Sequence, residues 1–71
     1  MDKQEFLEKI GENIVKIRKQ KNLKQIDLAY KTNLKGFSLR RIEKGKVNSS
    51  ILMLKRVADA LEVPLIDLLK F

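Results

Sequence analysis

The chain has 71 residues and a formal net charge of +7, with 16 Lys and Arg against nine Asp and Glu. This length allows one domain with a small hydrophobic core, and the absence of Cys and His excludes disulfides and the usual zinc-ligand sets. No apolar run approaches the roughly 18–20 residues of a membrane span, and no secretory signal is recognisable near the N-terminus. We therefore expect a single domain over residues 1–71, located in the cytoplasm.

Positive charge is concentrated in the middle of the chain. Residues 1–15 carry two Lys and four acidic residues, residues 16–46 carry eleven Lys or Arg and two acidic residues, and residues 47–71 carry three of each sign. A basic segment between acidic and neutral flanks is typical of a surface that binds a polyanion. Ordinary solvation of Lys-rich helices is the alternative that the distribution leaves open.

Apolar residues at steps of three and four predict a first helix over residues 3–21. Its apolar stripe would comprise Phe6, Ile10, Ile14 and Ile17. Arg18 follows Ile14 by four residues and therefore borders this stripe. We expect Arg18 to be partly buried at the edge of the core.

A second, shorter helix is predicted over residues 25–32, with Leu28 and Ala29 on its inner face. The small side chain of Ala29 would allow a neighbouring helix to cross closely. Lys24 stands where an N-cap Ser, Thr or Asp is expected. Ile26 falls on the outer side of the helix, either as a lone exposed apolar residue or as part of an interface.

A third helix is predicted from residue 35 or 36 to residue 44. Asn33 precedes it at a turn that needs a residue tolerant of positive φ. Leu39 belongs to the core face of this helix, and Glu43, four residues later, borders that face. Gly45 is expected to end the helix.

The remaining residues predict two more helical elements. Ser49 or Ser50 can cap a fourth helix over residues 51–61. Pro64 is well placed to begin a short fifth element over residues 65–69. Strand-like alternation is absent, so the pattern predicts an all-α fold.

Residue patterns that would support catalysis are missing. The chain has no Gly-rich phosphate loop, and the helical row of Glu5, Glu8 and Glu12 is explained by a solvated face. We therefore expect no enzymatic activity, no bound metal and no cofactor.

The chain resembles the Cro/C1-repressor type of helix-turn-helix domain, also called the XRE-like family, in the segments IGENIVKIRKQKNLKQIDLA, TNL, LRRIEKG and ILMLKRVADALEVPLIDLL. The resemblance covers about residues 10–69. It implies a compact, lambda-repressor-like domain of five helices in which helices 2 and 3 form a helix-turn-helix. It also implies an ion pair between Arg18 and Glu43 that holds the first helix against the third.

In such motifs the N-terminal part of the second motif helix faces base edges, and the first crosses the DNA backbone. Gly36, Phe37 and Arg41 would then face the major groove, with Arg41 able to bond guanine O6 and N7 and Phe37 able to contact thymine methyls. The alternatives are a core position for Phe37, a phosphate contact or simple solvation for Arg41, and a turn role for Gly36. Phosphate contacts are expected from Gln25 at the exposed amides that begin helix 2, and from Lys35, Ser38, Arg40, Lys44 and Lys46.

One copy of this motif reads only a few base pairs, so specific binding usually requires two copies on a palindromic site. Val63, Ile66 and Phe71 are the predicted dimer contacts, unless the apolar C-terminal tail folds back on its own domain. We expect a homodimeric, sequence-specific transcriptional regulator, acting as a repressor on double-stranded DNA. The alternative is a protein-interaction module, such as an antitoxin-type adaptor, whose basic face binds an acidic protein.

Overall fold

A computed structural model describes residues 1–71 and contains only helices and turns. The elements are α1 (Lys3–Gln20), α2 (Gln25–Thr32), α3 (Gly36–Glu43), α4 (Ile51–Leu61) and a C-terminal 3-10 turn (Leu65–Leu68). The all-α prediction is confirmed. The fifth element, predicted over residues 65–69, is a single 3-10 turn of four residues with i to i+3 hydrogen bonds. No helix has both the length and the apolar character needed to cross a bilayer.

Side-chain caps begin two of the helices. At α1, Asp2 Oδ1 accepts a hydrogen bond from the Glu5 backbone N–H at 2.7 Å. At α4, Ser50 Oγ accepts from the Met53 backbone N–H at 3.1 Å. Both bonds satisfy an amide that has no partner within its own helix, so Ser50 rather than Ser49 is the cap of α4.

Lysines occupy the N-cap positions of α2 and α3. Neither Lys24 nor Lys35 makes a side-chain capping hydrogen bond. At α2, Asp27 compensates in part because its Oδ2 accepts from the Lys24 backbone N–H at 2.8 Å. This is the reciprocal half of a capping box. Both helix starts that belong to the basic middle segment therefore expose an ammonium group.

Left-handed residues make the turns after α2 and α4 tight. Asn33 and Glu62 both have φ near +60°, a conformation that Asn tolerates better than Glu. The Leu34 backbone N–H donates to Ala29 O at 3.0 Å, which closes the end of α2. Only three residues, 33–35, separate α2 from α3, so the two helices are joined at a fixed, short distance.

All four helices and the 3-10 turn contribute to one core. Its buried apolar members are Ile10, Ile14, Leu28, Ala29, Leu39, Ile42, Leu54, Val57, Ala58, Leu61 and Leu68. Phe6 belongs to the predicted apolar stripe of α1, but the residue is 43% exposed and lies outside this core. It lies in the first turns of α1 and packs edge-to-face against the exposed Phe71 ring, with 5.5 Å between centroids.

Gly11 marks the closest approach of α1 to α3. A Cβ at this position would overlap the backbone carbonyl of Glu43 and the carbonyl oxygen of Ile42. Gly costs a helix interior about 1 kcal/mol relative to Ala. Only a residue without a Cβ allows α1 to pack this closely on the end of α3, which explains why a Gly is found inside the helix.

Gly11→Ala is expected to destabilise the protein despite its better helix propensity, because overpacking typically costs about 1–3 kcal/mol and here the obstacle is backbone. The thermal melting temperature measures the effect. Gly36→Ala is the matched control, since a Cβ at Gly36 would have no atom within 4 Å apart from its chain neighbours and the nearby backbone of its own helix. We expect the control to melt at or above the wild-type temperature. A Gly11→Ala variant that did the same would contradict the close approach.

Candidate nucleic-acid interface

The α2 and α3 helices form a helix-turn-helix with a small contact residue between them. Ala29 is buried on the inner face of α2, where a larger side chain would hold α3 further away. Leu34 follows the turn and packs against the core. The outer surface of α3 and the beginning of α2 are left accessible to a partner.

A buried ion pair connects α1 to the last residue of α3. Arg18 Nε lies 2.8 Å from Glu43 Oε2, and the two side chains are 10% and 4% exposed. Arg18 Nη2 also donates to Glu43 Oε1 at 3.3 Å, and Arg18 Nη1 donates to Leu23 O at 3.0 Å. Gln25 Nε2 completes the set by donating to Glu43 Oε1 at 2.7 Å. We refer to Arg18, Leu23, Gln25 and Glu43 as the Glu43 network.

Phe37 is on the surface of α3. Its side chain is 54% exposed, which excludes the core position that the sequence left open. Lys35 Nζ lies 5.9 Å from the centroid of the ring, within the range of a cation–π contact. Arg41, one helical turn after Phe37, is also exposed, and Gly36 is open to solvent. Gly36, Phe37 and Arg41 therefore occupy the accessible part of α3.

The two arginines of α3 border different clefts. Arg40 lines a shallow cleft between α2 and α3, together with Ile26, Tyr30 and Gly36. Arg41 lines a second cleft, between α3 and the loop that leads to α4. Because adjacent helical residues point about 100° apart, the two guanidinium groups extend to different sides of α3.

The predicted phosphate contacts differ in accessibility. Lys35, Arg40, Lys44 and Lys46 are exposed, and Ser38 is half-buried. Gln25 is also half-buried, and its side-chain amide is already bound to Glu43. The second N–H of Nε2 and the backbone amide at the beginning of α2 remain available for the phosphate contact that we expected of this residue.

Two polar residues that were not predicted to contact DNA lie beside Arg41. Asn48 and Ser49 line the same cleft as Ser38 and Arg41. Amide and hydroxyl groups commonly contact phosphate oxygens. A signal was present in the sequence, since only Val47 separates Asn48 and Ser49 from the basic segment. No cluster of three or more metal-ligating side chains is present.

The C-terminal tail lies along α1. Asn13 Nδ2 donates to Leu68 O at 3.0 Å and to Lys70 O at 2.9 Å. Val63 is half-buried against the core, whereas Ile66 and Phe71 remain exposed. The tail thus folds back on its own domain and still presents two large apolar side chains to solvent.

Comparison with known proteins identifies the same architecture. The helix-turn-helix family matches residues 14–68. The controller protein C.AhdI from Aeromonas hydrophila is 29% identical, with a TM-score of 0.84 over 87% of this chain and 94% of that one. Wild-type C.Esp1396I, also a restriction-modification controller, is 36% identical, with a TM-score of 0.82 over 90% of this chain and 86% of that one.

The DNA-binding domain of BldD is 25% identical, with a TM-score of 0.86 over 99% of this chain and the whole of that one. No curated protein matches the chain significantly. The family match includes the helix-turn-helix and both charged members of the Glu43 network. The chain therefore belongs to the XRE-like helix-turn-helix family of DNA-binding transcriptional regulators.

Proposed function

We propose that this chain is a homodimeric repressor that recognises a palindromic operator by placing α3 in the major groove. The exposed α3 surface surrounded by lysines is the observation that carries the proposal. In this proposal residues 1–71 form a single domain that acts in the cytoplasm. Its activity is DNA binding and not catalysis. Two similar proteins are named restriction-modification controllers, which supports a regulatory role.

Base recognition depends on a small set of groups. The Arg41 guanidinium can bond both O6 and N7 of one guanine, the commonest specific contact to DNA. The exposed Phe37 ring can pack against thymine methyl groups. Gly36 has no side chain, so the α3 backbone can approach the floor of the groove. Arg41 is therefore the main determinant of the preferred sequence.

Phosphate contacts hold the protein in register. Their side chains extend to both sides of α3 and past its C-terminal end: Lys35, Ser38, Arg40, Lys44 and Lys46. The backbone amide of Gln25 adds a contact at the beginning of α2, where the helix dipole favours an anion. These groups position the protein without reading sequence.

The dimer forms through the C-terminal face. Ile66 and Phe71 are exposed apolar residues close to the half-buried Val63 in sequence. Burying them against a second copy would remove apolar area from water, which favours association. Sedimentation velocity at micromolar concentration is expected to show a dimer. A monomer, both free and with DNA, would contradict this interface.

Selection of bound duplexes from a random DNA pool tests the proposal as a whole. We expect two inverted half-sites whose centres are separated by about one helical turn, 10–10.5 base pairs, or a multiple of it. A single unsymmetrical site would contradict the palindromic dimer. Failure to enrich any sequence would instead favour a basic face that binds an acidic protein.

Arg41→Ala and Lys44→Ala are expected to separate base reading from phosphate contact. Without Arg41 the protein should lose about 1–3 kcal/mol of discrimination between the selected duplex and a random one. Without Lys44 it should bind both duplexes more weakly by the same factor. Dissociation constants on the two duplexes measure both effects. If the two variants changed specific and random binding equally, Arg41 would not be a base-reading residue.

A further inference from the structure

The Gln25 side chain faces the interior of the helix-turn-helix. Its Nε2 lies 2.7 Å from Glu43 Oε1, and the Glu43 side chain is only 4% exposed. A hydrogen bond to a carboxylate is among the stronger side-chain bonds. Because Arg18 already balances the charge of Glu43, a neutral donor such as an amide suits the remaining acceptor position.

This bond links the N-terminal end of α2 to the C-terminal end of α3, two ends that the turn between the helices does not connect. The turn at residues 33–35 links the C-terminal end of α2 to the N-terminal end of α3. Gln25 is the first residue of α2, and Glu43 is the last residue of α3. The hydrogen bond between them therefore fixes the opposite end of the pair. With both ends held, the orientation of α2 against α3 is determined.

The Glu43 network also fixes this pair of helices to the rest of the domain. Arg18 belongs to α1 and donates to Leu23 O in the turn before α2 at 3.0 Å. Every buried side-chain nitrogen and oxygen in the structure has a hydrogen-bond partner. A fully satisfied buried polar network rigidifies its surroundings, so the loss of one member would loosen the motif.

We propose that Gln25 is a positioning residue for DNA binding, acting through its side-chain bond to Glu43. The bond holds α2 so that the amides at its beginning reach a phosphate while α3 occupies the groove. This inference rests on the proposed DNA-binding surface. It assigns the side chain a role different from that of the backbone amide of the same residue, which meets the phosphate directly.

Gln25→Met and Gln25→Glu test the proposal. Methionine keeps the length of the side chain and removes the donor, whereas glutamate places a second carboxylate beside Glu43. The controls are Gln20→Met and Gln20→Glu, at an exposed residue in the last turn of α1. The measured quantities are the melting temperature and the affinity for the selected duplex. Affinity is measured well below every melting transition, at several salt concentrations.

We expect Gln25→Met to lower the melting temperature by about 5–10 °C, since a hydrogen bond to a charged group is lost in a small domain. Gln25→Glu should lower it further, because like charges are brought together. Both variants should bind the duplex several-fold more weakly, and Gln25→Met, which conserves charge, should leave the salt dependence unchanged. Both Gln20 controls should match the wild-type chain in melting temperature and in affinity.

Two results would overturn the proposal in different ways. Weaker DNA binding with an unchanged melting temperature would mean that the Gln25 side chain contacts DNA directly. A lower melting temperature with unchanged affinity would mean that the network only stabilises the fold. If the wild-type chain and the Gln20 controls also failed to bind, the proposed function itself would be wrong. The melting temperatures would still show whether the Gln25 side chain stabilises the Glu43 network.

Discussion

Glu43→Ala is expected to lower the free energy of unfolding by about 3–5 kcal/mol, the usual cost of removing one partner from a buried ion pair. The change leaves the Arg18 guanidinium buried without its carboxylate and removes the acceptor of Gln25. A domain of this size has a total stability of only about 5–10 kcal/mol. The variant should therefore be close to the limit of folding at physiological temperature.

Thermal and urea unfolding followed by circular dichroism measure this loss. The matched control is Asp59→Ala, which breaks the Lys55–Asp59 pair at the surface, where the side chains are 60% and 64% exposed. Exposed pairs of this kind contribute about 0.3–0.5 kcal/mol. If the two substitutions lowered the free energy of unfolding equally, burial would not explain the large effect expected at Glu43.

The double variant Arg18→Met, Glu43→Met separates the cost of a stranded charge from the worth of the pair. Replacing both members of a buried pair by apolar residues is often nearly neutral. We expect the double variant to be more stable than Glu43→Ala, with a remaining loss from the unpaired Gln25 amide and Leu23 carbonyl. A double variant as unstable as Glu43→Ala would indicate that the pair itself stabilises the fold, because removing the stranded Arg18 charge would then bring no relief.

Sequence spacing alone placed Arg18 and Glu43 at the borders of their apolar stripes, because residues four apart share one helical face. The pairing of these two residues came from the family resemblance. The participation of Gln25 was not predictable in either way. It depends on how α2 crosses α3, and that angle is set by packing around Ala29 and Leu39 rather than by any local pattern.

Phe6 shows a second limit of local pattern. It continues the apolar periodicity of α1 and would be buried if the core extended along the whole helix. The buried residues of α1 begin only at Ile10, so the first turns of the helix lie at the margin of the core. Periodicity indicates which face of a helix is apolar, but not how much of its length other elements cover. The length of coverage is a property of the assembled fold.

DNA binding by the wild-type protein is expected to depend steeply on salt. The four cationic contacts of each protomer, Lys35, Arg40, Lys44 and Lys46, neutralise about eight phosphates in a dimer, which gives a slope on the order of −7 for log affinity against log salt. Between about 50 and 200 mM salt the affinity should fall by roughly 10⁴-fold. Binding isotherms on the selected duplex at several salt concentrations measure the slope.

A comparison of Lys44→Gln with Lys16→Gln tests which surface of the protein causes this salt dependence. Lys44 belongs to the proposed phosphate contacts, so its loss in both protomers should make the slope less steep by about 2. Lys16 is exposed on α1, where it lies near the C-terminal tail and outside the proposed interface. Its substitution removes the same charge and should leave the slope unchanged. A slope near zero for the wild-type chain would contradict the DNA binding that we propose. Equal changes in the two variants would contradict binding through α2 and α3, because long-range attraction by net charge would then account for the salt dependence.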